Sequence, residues 1–272
     1  MGFLKKRELW SHKGDHGKVL VIGGSKDYIG APALAALAAL RSGVDLSIVA
    51  APEKVAWIIN SYSPDLITKK FEGDFFNWDN VKDVIELCED GNFDAVLIGP
   101  GLGLEPNTMD FAKEIVERVQ LPKVIDADAL KALKDAEIRN AILTPHAGEF
   151  QIMTDEDINK DFEEVMNIVK KYAGRDKIIL LKGHTDIITD GETVRLNHTG
   201  NPGMTVGGTG DVLAGLCLGF AAQTKDLFNS AFAAAHLNGM IGDYLLKKNG
   251  IGFTASDMVE LIPRIKKKIK WI

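Results

Sequence analysis

Short apolar runs rich in β-branched residues recur along the chain at Lys18 to Ile22, Leu46 to Val49, Ala95 to Ile98, Val124-Ile125, Ala141 to Leu143 and Ile178 to Leu181. Their length and content predict strands. Between most of them apolar positions recur at helical spacing, as in Pro32 to Arg41, Thr108 to Val119 and Ile158 to Tyr172. The strand-like runs are apolar throughout rather than at every second position, which predicts a mostly parallel sheet covered by helices on both faces. The stretch Thr185 to His198 differs. There Asp190-Gly191 sits between two short β runs, a hairpin signal. Beyond it the pattern turns helical, over Asp211 to Ala222, Leu227 to Leu246 and Ser256 to Trp271. No repeat and no Pro/Gly/Ser-rich linker interrupts this order, so the 272 residues read as one α/β domain, 1–272.

Composition narrows the function classes. With 46% hydrophobic and 26% charged residues, the chain has a globular rather than a disordered or fibrous balance. The net charge of −6 argues against nucleic acid as a partner, since a phosphate backbone needs a concentrated basic face. The dense run Lys266-Lys267-Lys268 lies among Leu261, Ile262, Ile265, Ile269 and Ile272 at helical spacing, and reads as the solvated face of a terminal helix. The opening residues carry no secretory signal, and the apolar stretch Ala31 to Leu40 is too short to span a bilayer. These features predict a cytoplasmic protein without a membrane partner. Cys88 and Cys217 lie far apart in helical segments, in neither a disulfide framework nor a metal-ligand spacing.

The densest candidate for chemistry runs from Asn197 to Leu213, with glycines at 200, 203, 207, 208 and 210 leading into a helix. A helix start exposes unpaired N–H groups and a positive dipole end, and glycines let an anion approach closely, so phosphate is the natural ligand. Asp211 at this point either caps the helix or acts as a base beside the phosphate. The segment is neither a Walker A loop nor a dinucleotide fingerprint. Gly99-Pro100-Gly101-Leu102-Gly103 and Gly23-Gly24-Ser25 each follow a predicted strand. Alone, each reads as a tight turn; together with the 207–210 cluster they suggest one ligand edge at the strands' carboxyl ends. Thr144-Pro145-His146-Ala147-Gly148-Glu149 and Lys182-Gly183-His184-Thr185-Asp186 follow two further strands. His146 is a polar core residue, a substrate contact or a general acid/base; Lys182 pairs with a phosphate or solvates a turn. The histidines form no recognised metal spacing, and Glu149, Asp126 and Asp128 offer only a weak signal for Mg²⁺ held through water.

Taken together, His12-Lys13-Gly14, Gly23-Gly24-Ser25, Tyr28-Ile29-Gly30-Ala31, Ala38 to Gly43, Gly99 to Gly103, Thr144 to Glu149, Lys182 to Thr185, Gly200 to Met204 and Gly207 to Leu213 resemble the nucleotide-dependent NAD(P)H-hydrate dehydratases, in family order. The resemblance implies a ribokinase-like three-layer α/β/α sandwich. It also implies repair of hydrated NADH and NADPH, with ADP as the driving nucleotide in bacterial and archaeal members and ATP in eukaryotic ones, together with Mg²⁺. By motif, Lys182, Gly183, His184, Thr185, Asp186 and Gly210 would contact the nucleotide, joined by Asn201, Gly207, Gly208 and Thr209 of the glycine-rich segment. Ala31, Gly103, His146 and Asp211, with Gly101 of the same loop, would contact the hydrated cofactor, and Asp211 and His146 would carry the chemistry. Family members commonly assemble as tetramers, which implies a homotetramer here. Only eleven residues precede the first motif, so epimerisation of the hydrate is expected from a separate epimerase. Two departures stand out. Arg41-Ser42-Gly43-Val44-Asp45 replaces a more usual small-residue Gly-Ala-Gly ending, and His146 stands where related kinases carry Asn. A hydroxyl kinase of the same fold, of the hydroxyethylthiazole or hydroxymethylpyrimidine type, is the rival reading; a nucleotide sensor without catalysis is a third.

Overall fold

The computed structural model describes residues 3, 4, 7–134 and 136–270. Nine strands among them form one sheet: β1 (Lys18–Ile22), β2 (Leu46–Pro52), β3 (Ile67–Phe71), β4 (Ala95–Ile98), β5 (Lys123–Ile125), β6 (Ala141–Leu143), β7 (Lys177–Leu181), β8 (Asp186–Thr189) and β9 (Val194–Asn197). Their spatial order is β3-β2-β1-β4-β5-β6-β7-β8-β9. The pairings from β3 to β7 are parallel, and β7-β8-β9 are antiparallel, so the predicted hairpin forms the far edge. The helices are α1 (Gly30–Ser42), α2 (Glu53–Tyr62), α3 (Val81–Asp90), α4 (Pro106–Arg118), α5 (Asp128–Lys131), α6 (Ala147–Thr154), α7 (Phe162–Tyr172), α8 (Thr209–Thr224), α9 (Leu227–Asn249) and α10 (Ala255–Lys266).

Side chains of a strand point alternately to its two faces, and here both faces are covered. Val19 and Val21 of β1 pack with α1, α2, α8, α9 and α10, while Leu20 and Ile22 pack with α3, α4 and α5. On β7, Ile178 and Leu180 join the first core; Ile179 and Leu181 join Phe150 of α6 and Ile168 and Val169 of α7. That is the three-layer α/β/α arrangement, and it explains why the central runs are apolar at every position.

Where the observed elements depart from the sequence pattern, local burial explains it. β3 was not predicted: as the outer edge strand it carries Lys69 and Lys70 and buries none of its residues, so it has no apolar run. Helix α7 starts at Phe162 rather than Ile158, because the Asp161 carboxylate accepts the Glu164 N–H at 2.9 Å and sets the N-cap there. Helix α10 ends at Lys266, short of the expected Trp271; Trp271 and Ile272 lie outside the described residues. The lysine run also needs correction. Lys267 and Lys268 are exposed, but the Lys266 ammonium donates to the carbonyl of Ser42 at the end of α1, where the helix leaves carbonyls unpaired.

The α1–α8 contact positions the start of α8. Ala35, Ala38, Ala39 and Ser42 on α1 are fully buried. A Cβ on Gly215 would lie 2.2 Å from the Ala35 carbonyl oxygen, and one on Gly219 would lie 2.0 Å from the Ser42 hydroxyl. Glycine in a helix interior costs about 0.5–1 kcal/mol relative to alanine, so these two are explained by backbone approach rather than by helix preference. Gly215→Val is therefore expected to destabilise the fold by about 2–3 kcal/mol through overpacking against α1. Urea denaturation followed by circular dichroism checks this; a midpoint equal to wild type would show that the seam is loose.

Candidate active site

All seven parallel strands end at one edge of the sheet, and the loops singled out in the sequence gather there. Gly23-Gly24 follows β1, Gly99 to Gly103 follows β4, Asp126 to Asp128 follows β5, Thr144 to His146 follows β6, and Lys182 to Asp186 follows β7. The connection reverses direction between β1 and β4, where open α/β sheets form a crevice. Close backbone approach holds these loops together. A Cβ on Gly99 would lie 1.8 Å from the Asp126 carbonyl oxygen, and the Gly24 N–H donates to the Pro100 carbonyl at 2.9 Å.

Four charged groups meet at this edge. Lys182 Nζ lies 3.1 Å from Asp126 Oδ1 and 3.6 Å from Glu149 Oε2. Asp126 is buried and also accepts the Thr144 hydroxyl at 2.7 Å. Burial alone would depress the Lys182 ammonium; the surrounding carboxylates of Asp126, Glu149 and Asp211 instead hold it above the ordinary lysine range. Asp211 has the opposite balance. Burial, reinforced by the negative charges of Asp126 and Asp128, pushes its carboxyl up to about 7 against the pull of Lys182. Asp126 and Asp128 point their carboxylates to different partners across Ala127, whose φ of 52° and ψ of −124° are strained for a residue with a Cβ. Asp128 accepts the Gly103 N–H at 3.0 Å and pairs with Lys131, so the charge cluster is tied directly to the β4 loop.

The first turn of α8 faces the same cluster. Its N-cap is Gly208, held at φ 95°, so no side chain caps the helix. The first intrahelical bond runs from the Val212 N–H to the Gly208 carbonyl at 3.1 Å, which leaves the N–H groups of Thr209, Gly210 and Asp211 without intrahelical partners. Asp211 is therefore the third residue of the helix and not its N-cap, though it lies in the first turn where a carboxylate meets the helix dipole. The geometry presents unpaired N–H donors, a lysine and a carboxyl that titrates near neutrality. It can bind a phosphate and accept a proton beside it.

Next to this lies a cavity of about 760 Å³ lined by His146, Lys182, Gly183, His184, Asp186, Asn201, Thr209 and Gly210 among the predicted residues, and by Thr199, Met204, Leu213, Ala235, Asn238 and Gly239. Thr185, Gly207, Gly208 and Asp211 are not in its lining. Gly207 is exposed at the tip of the loop, and Gly208 packs toward Leu34 and Ala255. Thr185 binds His198 Nδ1 through its hydroxyl at 3.3 Å. Asp186 ties its loop together, accepting the Gly183 N–H at 3.0 Å and the Asn197 amide at 2.9 Å. Asn201 does likewise for the following loop, donating to Asp243 at 3.0 Å while its oxygen accepts the Gly203 N–H. On the other side, Ala31 and Gly101 adjoin, since a Cβ on Gly101 would lie 3.4 Å from that of Ala31, while Gly103 of the same loop lies near Ser25 and donates its N–H to Asp128.

His146 and Glu149 form a capping box at the start of α6. His146 Nδ1 accepts the Glu149 N–H at 3.2 Å, and Glu149 Oε2 accepts the His146 N–H at 2.9 Å. With Nδ1 an acceptor, Nε2 carries the proton of the neutral imidazole. Glu149 is buried and occupied by this box and by Lys182. Among the described residues no group of three His, Cys, Asp or Glu is arranged to hold a metal ion. Two positions gained weight only from the structure. Asp126 was read as a weak metal candidate and is the central partner of Lys182; its position directly after β5 was the available signal. Asn238, mid-helix in α9, gave no sequence signal at all.

The profile described as NAD(P)H-hydrate dehydratase matches residues 19–264. The chain is 46% identical over 259 residues to the bifunctional NAD(P)H-hydrate repair enzyme of Pyrobaculum aerophilum, covering 94% of this chain and 51% of that protein. It spans about half the length of the curated relatives of this bifunctional type. It is 38% identical over 269 residues to the ADP-dependent (S)-NAD(P)H-hydrate dehydratase of Cenarchaeum symbiosum, covering 97% of this chain and 93% of that one. The ADP/ATP-dependent NAD(P)H-hydrate dehydratase of Bacillus subtilis, co-crystallized with ATP/Mg²⁺, superposes with a TM-score of 0.84 at 29% identity, covering 97% and 94% of the two chains. Ribokinase of Arabidopsis thaliana shares the fold alone, at a TM-score of 0.57 and 12% identity over 92% and 99%. The chain belongs to the NAD(P)H-hydrate dehydratase family and has the ribokinase-like α/β/α fold.

The raised carboxyl of Asp211 has a consequence for stability. Between pH about 4 and about 7 the folded chain keeps a proton that the unfolded chain has released, so this group's contribution falls as pH rises through that window. Asp211→Asn removes the penalty. At pH 8 the variant is expected to exceed wild type by on the order of 1–3 kcal/mol, and at pH 4 to match it. Thermal denaturation at the two pH values checks this, and equal stability at pH 8 would contradict the placement of Asp211 among buried negative charges.

Proposed function

We propose that this member of the NAD(P)H-hydrate dehydratase family uses an adenine nucleotide to dehydrate the S-form of hydrated NADH and NADPH, returning the dihydronicotinamide. The reading is supported above all by one juxtaposition: a carboxyl titrating near 7, at the uncapped start of a glycine-led helix, beside Lys182. The names of the Cenarchaeum and Bacillus relatives support ADP as the nucleotide, with ATP as a second donor.

Hydroxide leaves poorly, so the hydroxyl of the hydrated ring is first converted into a phosphate ester. Asp211 takes the hydroxyl proton as the oxygen attacks the terminal phosphorus of ADP; the bond from phosphorus to the bridging oxygen breaks and AMP leaves. The ester then loses phosphate with its bonding electrons while the neighbouring ring carbon gives up a proton, which restores the double bond. Summed, hydrate and ADP become dihydronicotinamide, AMP and phosphate. Lys182 and the free N–H groups of Thr209 and Gly210 hold the negative phosphoryl oxygens through the transfer. His146, exposed and with Nδ1 held as an acceptor, would face the substrate at the β6 end. Ala31, Gly101 and Gly103 would leave room for the hydrated ring beside the β1 and β4 loops. His184, Thr185 and Asp186 would shape the nucleotide side, with Asn201, Gly207 and Gly208 framing the phosphate loop.

The donors present suit an Mg²⁺ ion carried by the nucleotide phosphates and water, with Glu149 reachable through water, better than one caged by protein ligands. When bound, such an ion would neutralise phosphate charge. We further propose that the chain works in the cytoplasm as one ribokinase-like domain over 1–272, as a homotetramer. An NAD(P)H-hydrate epimerase would be its functional partner, an idea supported by the bifunctional names of its relatives. No helix of the described residues is long and apolar enough to cross a membrane.

Incubation with hydrated NADH and ADP is expected to restore the near-ultraviolet absorbance of the dihydronicotinamide and to release AMP and phosphate in equal amounts. A stable phosphorylated product without that absorbance would establish a kinase instead; binding without turnover would establish a sensor. Asp211→Asn is expected to lower kcat by at least about 10²-fold with nucleotide affinity nearly unchanged, since the N–H donors remain. In wild type, kcat should rise with pH through about 7 as Asp211 becomes able to accept a proton. A flat profile between pH 5.5 and 8.5, a range of roughly three units around that value, would remove Asp211 from the role of base.

A further inference from the structure

Asn238 sits on α9 at 5% exposure and lines the cavity described above. Its Oδ1 is inaccessible and has no hydrogen-bond partner among the described residues. Buried carboxamides are normally paired, because an unpaired one has given up water for nothing. The surroundings make the orphan more pointed. Ala235, Asn238 and Gly239 share one face of α9, with Gly242 one turn on. A Cβ on Gly239 would lie 2.2 Å from the Thr199 hydroxyl, and one on Gly242 would lie 2.3 Å from Met204 Sδ. The small residues let the 199–204 loop close against α9, and Met204, Leu213, Ala235 and Asn238 line this part of the cavity.

The lining is thus divided. Lys182, Gly183, Thr209 and Gly210 lie at the strand ends and the helix start, and suit phosphate; away from them Met204, Leu213, Ala235 and Gly239 form an apolar stretch that holds the Asn238 amide, with Thr199 and Asn201 on the facing loop. A flat aromatic base suits the apolar part. Adenine presents an amino donor next to a ring-nitrogen acceptor, and a carboxamide presents the complementary acceptor and donor, in a spacing that allows two parallel hydrogen bonds. Oδ1 is closed off as the side chain stands, and because it bonds to none of the described residues, turning the amide to present it to the base breaks no hydrogen bond at that atom.

We infer that Asn238 recognises the hydrogen-bonding edge of the nucleotide's adenine and sets base specificity. This inference rests on the nucleotide-dependent reading of the same site and adds to it the residue that reads the base.

The test is a binding cycle by titration calorimetry, independent of turnover. Wild type, Asn238→Leu and Asn238→Ala are each titrated with ADP and with purine riboside diphosphate, which carries a hydrogen in place of the 6-amino group. Wild type is expected to prefer ADP by roughly 10-fold or more, each variant to lose roughly 10- to 100-fold in ADP affinity, and the preference to vanish in both variants. Variants that bind ADP as tightly as wild type, or that weaken both ligands equally, overturn the inference while leaving the nucleotide site standing. A wild type that binds neither ligand overturns the nucleotide reading, and this inference with it. Asn238→Leu replaces an amide whose oxygen is unpartnered with an apolar group of similar volume and is expected to melt no lower than wild type. If it unfolds, the amide has a structural role and the inference fails. A further kinetic readout is a higher KM for ADP with kcat within about threefold of wild type, since the phosphate end is untouched.

Discussion

The approach of α8 to α1 is the constraint on which the site depends. Gly215 and Gly219 allow the two backbones to meet with no side chain between them, against four fully buried small residues of α1. Interiors are packed like crystals, so a contact of this kind fixes a helix along its axis as well as in its distance from the sheet. The start of α8 thereby lands over the carboxyl ends of the central strands, where Gly210 adjoins Lys182. Lys266 and Arg7 close the far end of α1 by donating to the Ser42 and Gly43 carbonyls, which anchors the seam from outside.

The charge cluster that α8 meets is balanced rather than neutral. One ammonium serves Asp126, Glu149 and Asp211, and the first two approach it within 4 Å. Asp211 is left with burial and two like charges, which is why its carboxyl, unlike that of an exposed aspartate, holds its proton until near neutrality. Strain at Ala127 contributes to the same arrangement, by turning two carboxylates two residues apart toward different partners. A carboxyl poised in this way is suited to receive a hydroxyl proton at the moment a phosphoryl group is transferred.

Much of the framework was readable from residue pattern. The apolar runs at 18–22, 95–98 and 178–181 are strands because each is buried on both faces, and Asp190-Gly191 turns a hairpin because its residues tolerate the required backbone angles. The glycine-led segment ending in Asp211 likewise pointed to the uncapped helix start that the fold shows, since free N–H groups and close approach are written in local composition. β3 escaped the pattern because an exposed edge strand has no hydrophobic face to display, and the early end of α10 escaped it because apolar spacing continues past the last helical turn.

What the sequence by itself determined, then, is what depends on neighbours in the chain: strands, most helices, the turn residues, and the identity of the groups brought to the strand ends. Tertiary structure alone decided how those groups behave. Lys182 and Asp126 are 56 residues apart in sequence yet 3.1 Å apart in space, and the titration of Asp211 near 7 follows from charges that no local window contains. Asn238 is an unremarked polar residue in a helix until the 199–204 loop folds over it. Burial and Coulomb interactions act through space, so their outcome appears only once distant segments meet.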